Sequence, residues 1–119
     1  MNYIDVFVLP VPLDRLDEYL CLTRHAGEIW KEYGALEYVE CVGDDIRPGE
    51  QTSFPISVKL EPGETVVFAW IRYASRKDRD RILAQVLEDS RFVDMMDHAD
   101  LPFDGKRLFW SGFMERVRL

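Results

Sequence analysis

A chain of 119 residues, 47% hydrophobic and 31% charged, has the composition of an ordinary globular domain, and its length suits one domain (1–119) with a real core rather than two. A net charge of −7 leaves no broad basic footprint, so nucleic acid and anionic membrane surfaces are not expected as partners. No apolar run approaches the roughly 20 residues that span a bilayer, no basic start precedes an apolar stretch at Met1–Asp5, and Cys21 and Cys41 lack CxxC spacing. Reduced thiols in a cytoplasmic protein are the expectation.

Tyr3–Val11 is apolar, rich in β-branched residues and stopped by Pro10 and Pro12, which predicts a first strand. Its faces differ: Ile4, Val6 and Val8 are small and aliphatic, while Tyr3, Asp5, Phe7 and Leu9 are larger and include a carboxylate. A helix is expected from Pro12–Asp14 to Tyr33, with Asp14, Asp17 and Glu18 in its first turn and Gly34 as its stop. Leu16, Leu20, Thr23, Gly27 and Trp30 form one stripe, which Tyr19, Leu22, Ala26, Ile29 and Tyr33 extend. That arc is wider than a single sheet requires, and its edge at Leu22 and Ile29 suggests another subunit.

Ala35–Val42 reads as the second strand, with Val39 and Cys41 alternating against Leu36, Tyr38, Glu40 and Val42. Arg47–Pro55 reads as loop, Ile56–Leu60 as a short extra strand, and Glu61-Pro62-Gly63 as a turn. Thr65–Tyr73 is apolar in both alternating sets, the mark of a strand covered on both faces. Ser75 caps the next helix with Asp78 at the capping-box position, and Ile82, Leu83, Val86 and Leu87 supply its buried stripe. Ser90–Ala99 predicts a further short helix, Asp104-Gly105 a turn, and Leu108–Val117 the last strand.

This order is α+β: a ferredoxin-like βαββαβ antiparallel sheet with its helices on one face. Helices cover one face only, so the other needs a second cover. A second copy is the most economical one, which predicts a homodimer forming a dimeric α/β barrel.

If the small aliphatic sets (Ile4, Val6, Val8; Val39, Cys41; Val67, Ala69, Ile71) face the helices, the opposite sets line the barrel. Those are Tyr3, Asp5, Phe7, Tyr38, Glu40, Phe68, Trp70 and Arg72, an aromatic lining with a few charges, as in a small-molecule pocket. Arg72 then needs Asp5 or Glu40 as its partner. In the last strand either Phe109, Ser111 and Phe113 or Leu108, Trp110 and Met114 point inward. His25 falls on the polar side of its helix, beside Cys21 and Glu28, and no third ligand stands at a useful spacing; His98 lies among acids in a loop. No metal or cofactor is expected. Arg76, Lys77, Arg79 and Arg81 alternate with Asp78 and Asp80, which reads as a solvated face. In PFDGKR, Lys106 and Arg107 could meet acids across a subunit boundary or an anion.

GALEYVECVGDD (34–45), TSFP (52–55), VVFAWIRYASRKDRD (66–80) and PFDGKR (102–107), in that order, make the chain resemble the YbaA-like family of uncharacterised bacterial proteins. The resemblance implies membership of the dimeric α/β-barrel superfamily, which includes cofactor-free monooxygenases, haem-degrading enzymes, lactone isomerases and stress-response proteins. It implies a fold and carries over no catalytic residue.

The expected function is therefore a homodimer whose barrel cavity holds a small aromatic or anionic molecule. One alternative is a cofactor-free enzyme of the monooxygenase or isomerase type, with Asp5, Glu40 or Tyr38 moving protons. Another is a purely structural or stress-response dimer. A closed cavity containing a carboxylate without a salt-bridge partner separates these, because such a group has a raised pKa suited to acid–base work.

Overall fold

The computed structural model describes all residues from Met1 to Leu119. Four antiparallel strands, β1 (Tyr3–Pro12), β2 (Glu37–Val42), β3 (Glu64–Tyr73) and β4 (Phe109–Met114), form one sheet in the order β2-β3-β1-β4. The helices are α1 (Leu16–Glu32), α2 (Phe54–Ser57), α3 (Arg76–Glu88) and α4 (Ser90–Met96). This is the expected ferredoxin-like α+β plan.

Local chemistry explains where the elements start and stop. A 3-10 turn at Leu13–Arg15 leads into α1, which ends where Gly34 adopts φ +116°, a conformation that costs glycine little. Ser75 Oγ accepts the Asp78 amide at 3.1 Å and caps α3 as anticipated. Ile56–Leu60 is not a strand. Ser53 accepts the Ile56 amide at 3.1 Å, and with Pro55 in the first turn this closes the one-turn helix α2 instead.

The strand register corrects the expected division of faces. Asp5 lies opposite Ile71 and Gly112, and Phe7 opposite Ala69 and Trp110. Tyr38 and Glu40 lie opposite Ile71 and Ala69. Tyr3, Asp5, Phe7, Tyr38 and Glu40 therefore share the helix-covered face with Val67, Ala69, Ile71 and Tyr73. Phe68, Trp70 and Arg72 share the other face with Ile4, Val6, Val8, Val39 and Cys41. The eight expected lining residues thus divide five to three between two faces. Small size was a poor guide to side, because the helices accept large aromatic rings from β1 and β2. In β4, Phe109, Ser111 and Phe113 lie with Phe68 and Trp70.

The main core joins Ala26, Ile29 and Trp30 of α1 to Ile71 and Tyr73 of β3 and to Ile82 and Val86 of α3. Leu9, Val11, Tyr19 and Val67 form a second cluster. Ile29 is 3% exposed among these residues and Leu22 lies beside α4 residues, so α3 and α4 occupy the edge of α1 that suggested another subunit.

A carboxylate at the edge of an apolar cavity

Between the sheet and α1 lies a cavity of about 180 Å³. Its floor is Phe7, Leu9, Ala69 and Ile71; α1 contributes Tyr19, Leu22, Thr23, Ala26 and Trp30; Phe92 and Met96 of α4, with Phe103 and Leu108, close the rest. An apolar cavity of roughly 150 Å³ accommodates a benzene ring. Trp30 meets Phe92 edge-on, with centroids 5.3 Å apart, which fixes one wall.

Tyr38 and Glu40 bring polarity to the lining. They project from alternate positions of β2 and meet α1 where Thr23 interrupts the apolar stripe. Tyr19 Oη donates to Glu40 Oε2 at 3.0 Å, Thr23 Oγ1 donates to Oε1, and Tyr38 Oη lies 3.4 Å from Oε1. Thr23 Oγ1 and Tyr38 Oη are 2.5 Å apart. With the threonine hydrogen directed at the carboxylate, Tyr38 donates to Thr23, giving a chain from Tyr38 through Thr23 to Glu40. No arginine, lysine or histidine forms a salt bridge with Glu40. Burial pushes its carboxyl above the usual range, and the hydroxyls of Thr23, Tyr19 and Tyr38 pull partway back. Burial also raises both tyrosines, as does the charge of Glu40, so they remain neutral donors.

Gly27 makes this arrangement possible. A Cβ built there would lie 2.5 Å from Cδ1 of Tyr38, so the ring rests directly on the helix backbone. Mid-helix glycine costs about 1 kcal/mol relative to alanine, and the close approach of Tyr38 is what it permits.

The other expected site residues behave differently. Asp5 is 1% exposed; its Oδ1 accepts from Arg79 Nη1 at 3.1 Å and its Oδ2 from Tyr73 Oη at 3.2 Å, while Trp30 Nε1 donates to Tyr73 Oη at 3.0 Å. Burial raises the Asp5 carboxyl, and Arg79 and Tyr73 oppose that rise. Arg79 is thus not on a solvated face: it is buried, with its guanidinium 4.9 Å from the Tyr3 ring centroid. Arg72 does not reach Asp5 or Glu40; its Nε contacts Glu37 Oε1 at 2.6 Å on the opposite sheet face. In PFDGKR, Arg107 grips both oxygens of Glu64 at 2.7 Å and Asp104 at 2.9 Å within the same chain, so this motif locks a turn to β3. His25 and Cys21 are exposed.

Sequence reasoning named Phe7, Tyr38 and Glu40 but missed Tyr19, Thr23, Trp30 and Arg79 as partners. The available signal for Thr23 was a hydroxyl in the apolar stripe of α1.

Residues 2–105 match the family described as protein of unknown function (DUF1428), and the chain belongs to that family. It is 41% identical over 113 residues to the uncharacterized protein YbaA of Escherichia coli strain K12, covering 95% of each chain, and equally so to YbaA of Shigella flexneri. Among solved structures, it resembles a NIPSNAP family protein from Agrobacterium tumefaciens (TM-score 0.62, 18% identity, 98% of this chain and 94% of that one). It also resembles SnoaB, a cofactor-independent oxygenase from Streptomyces nogalater (TM-score 0.61, 12% identity, 99% and 96%). At these identities the likeness is one of fold.

Proposed function

We propose that the chain acts as a homodimer in which each copy binds a small, neutral, flat aromatic molecule in the cavity beneath α1. The observation that carries this reading is Glu40: a carboxylate beside an apolar cavity, held by the hydroxyls of Tyr19 and Thr23 and by no cation. Aromatic walls supply most of the affinity of such a site, and one polar group orients the ligand. Of the two ligand classes expected from sequence, aromatic and anionic, the geometry favours the aromatic. An anion would meet Glu40 without a lysine or arginine in the lining to offset the repulsion.

The homodimer reading rests on the sheet face turned away from α1, α3 and α4, where the α2 segment covers only the corner at Val8, Val66 and Phe68. Phe109 is 46% and Phe113 56% exposed there, on the same face as Trp70 and Phe68 and one strand away from them across β1. Monomers rarely leave such contiguous apolar surface in water. Its nearby charged pair, Arg72 with Glu37, is internally neutralised. Two chains that each carry −7 repel one another, so an uncharged face is where a second copy fits best.

The test is calorimetric titration with phenol, toluene and benzoate. Phenol is expected to bind more tightly than toluene by donating to Glu40, with Glu40→Gln narrowing the difference, and benzoate is expected to bind weakly. Absence of saturable binding by phenol and toluene, or a preference for benzoate, overturns the reading. A second reading, a cofactor-free enzyme, draws on the same carboxylate, because a raised pKa suits a general base. That SnoaB is described as a cofactor-independent oxygenase means that this fold can host chemistry without a cofactor.

A further inference from the structure

Thr23, Tyr38 and Glu40 border two spaces. On one side is the apolar cavity. On the other is an open groove along α1 and β2, lined by Leu20, Arg24, Gly27, Glu28, Lys31 and Glu32 and sharing those same three residues. A carboxylate in this position contacts a ligand from the dry side and water from the wet side.

We propose that Glu40 removes a proton from the carbon beside the carbonyl of a small cyclic ketone held in the cavity, and exchanges that proton with water through the outer groove. The inference rests on reading the cavity as a ligand site and adds a reaction to it. A Glu40 carboxylate oxygen takes the proton as the C–H bond breaks. The bonding electrons form the carbon–carbon double bond of an enolate, and the carbonyl π pair moves to oxygen. Protonation of Glu40 removes the charge that holds the Tyr19 hydroxyl, freeing it to donate to the enolate oxygen. Reversal returns a proton to carbon. Protons and electrons balance without oxidant or cofactor.

The geometry favours a carbon acid for two reasons. The lining offers no cation to hold an anionic substrate, so the molecule entering must be neutral. A partly buried carboxylate with no cation beside it is also a stronger base than an exposed one, which matters most for a reluctant C–H bond. The chain from Tyr38 through Thr23 gives the proton a path towards the groove, making these two positioning residues.

The test uses 2-indanone in D₂O. Binding is followed by ligand NMR line broadening, and deuterium uptake at the ring methylenes by mass spectrometry against a buffer blank. The expected result is saturable binding with exchange roughly 100-fold above the blank, the lower range for one positioned base. Glu40→Gln should return exchange to the blank rate while retaining binding. Thr23→Val should retain binding and move the midpoint of the pH–rate profile upward, because it removes a hydrogen bond that favours the ionised carboxylate; a merely structural role would leave that midpoint in place. Binding without exchange above the blank, or equal exchange in Glu40→Gln, overturns this inference and leaves the binding reading intact. No binding of 2-indanone overturns this inference, and the binding reading falls with it if phenol and toluene also fail to bind.

Discussion

Arg79 Nη1 lies 3.1 Å from Asp5 Oδ1, so the cation that meets the buried carboxylate of β1 comes from α3 and not from the central strand. Tyr73 completes the coordination of Asp5, and Trp30 donates to Tyr73 in turn. The chain of contacts ends on a wall of the cavity, so this ion pair also holds the site in shape.

Breaking that pair should be costly. Arg79→Met leaves a carboxylate in the core without its cation, and an expected loss of about 3–5 kcal/mol follows. Asp5→Asn combined with Arg79→Met should recover much of the loss, since no unpaired charge then remains. Urea unfolding of the single and double variants measures both. Arg72→Met should melt close to the parent, because its contact with Glu37 stands at the surface. A large loss in Arg72→Met with a small one in Arg79→Met would reverse the assignment.

How far the sequence reveals all this depends on the kind of interaction. The element order, the Ser75 cap and the Gly34 stop are readable because each is local: a period, a capping hydroxyl, a residue free of Cβ. The face assignment is only partly so: Val67, Ala69 and Ile71 of β3 face the helices as expected, but β1 and β2 stand in the opposite phase, because residue size does not mark their buried side and only pairing with β3 fixes it. Arg79 stands among alternating charges that resemble any exposed helix surface, and only the position of Asp5 beneath it explains its burial. Likewise Glu40 is one acid among many until Tyr19 and Thr23, some twenty residues earlier, are brought against it.

Glu40 should also give the protein a pH signature. Its carboxyl in the fold is raised above its ordinary 4.5, so the native state binds more protons than the unfolded chain between the two values. The contribution of Glu40 to stability is thus fully present below the unfolded pKa and is lost as pH rises through the folded one. Glu40→Gln cannot titrate and should lack that loss, so the Tm difference, variant minus parent, should grow more positive from acid to neutral pH. Melts across this range test the sign. A difference that shrinks instead would mean that an unseen cation holds Glu40.

Gly27→Ala sets two effects against each other. Alanine improves helix propensity by about 1 kcal/mol, whereas its methyl group would overlap the Tyr38 ring, with three ring atoms within 2.9 Å. Overpacking of this kind costs roughly 1–3 kcal/mol. The expected outcome is a variant no more stable than the parent, in which displacement of Tyr38 loosens its link to Thr23 and moves the Glu40 carboxyl further up. Carbon-detected NMR titration of Glu40 reads that shift directly. Stabilisation with an unchanged titration would show that Tyr38 does not need the space.

The sheet face turned away from α1, α3 and α4 makes the last prediction. Trp70 stands on β3 between Val6 and Val39, on the sheet face turned away from α1, α3 and α4. If a second copy covers this face, Trp70→Glu places an unpaired charge where water is excluded, and two-fold symmetry introduces it twice in the same interface. The helix-side core does not include Trp70, so the variant should fold yet dissociate. Sedimentation at micromolar concentration should show the parent at twice its 14.0 kDa chain mass and Trp70→Glu at the chain mass, with circular dichroism unchanged. Leu87→Glu, at an exposed site on α3, should leave the assembly intact. A parent that sediments as a single chain removes the second copy, and a Trp70→Glu protein that remains paired places the contact elsewhere.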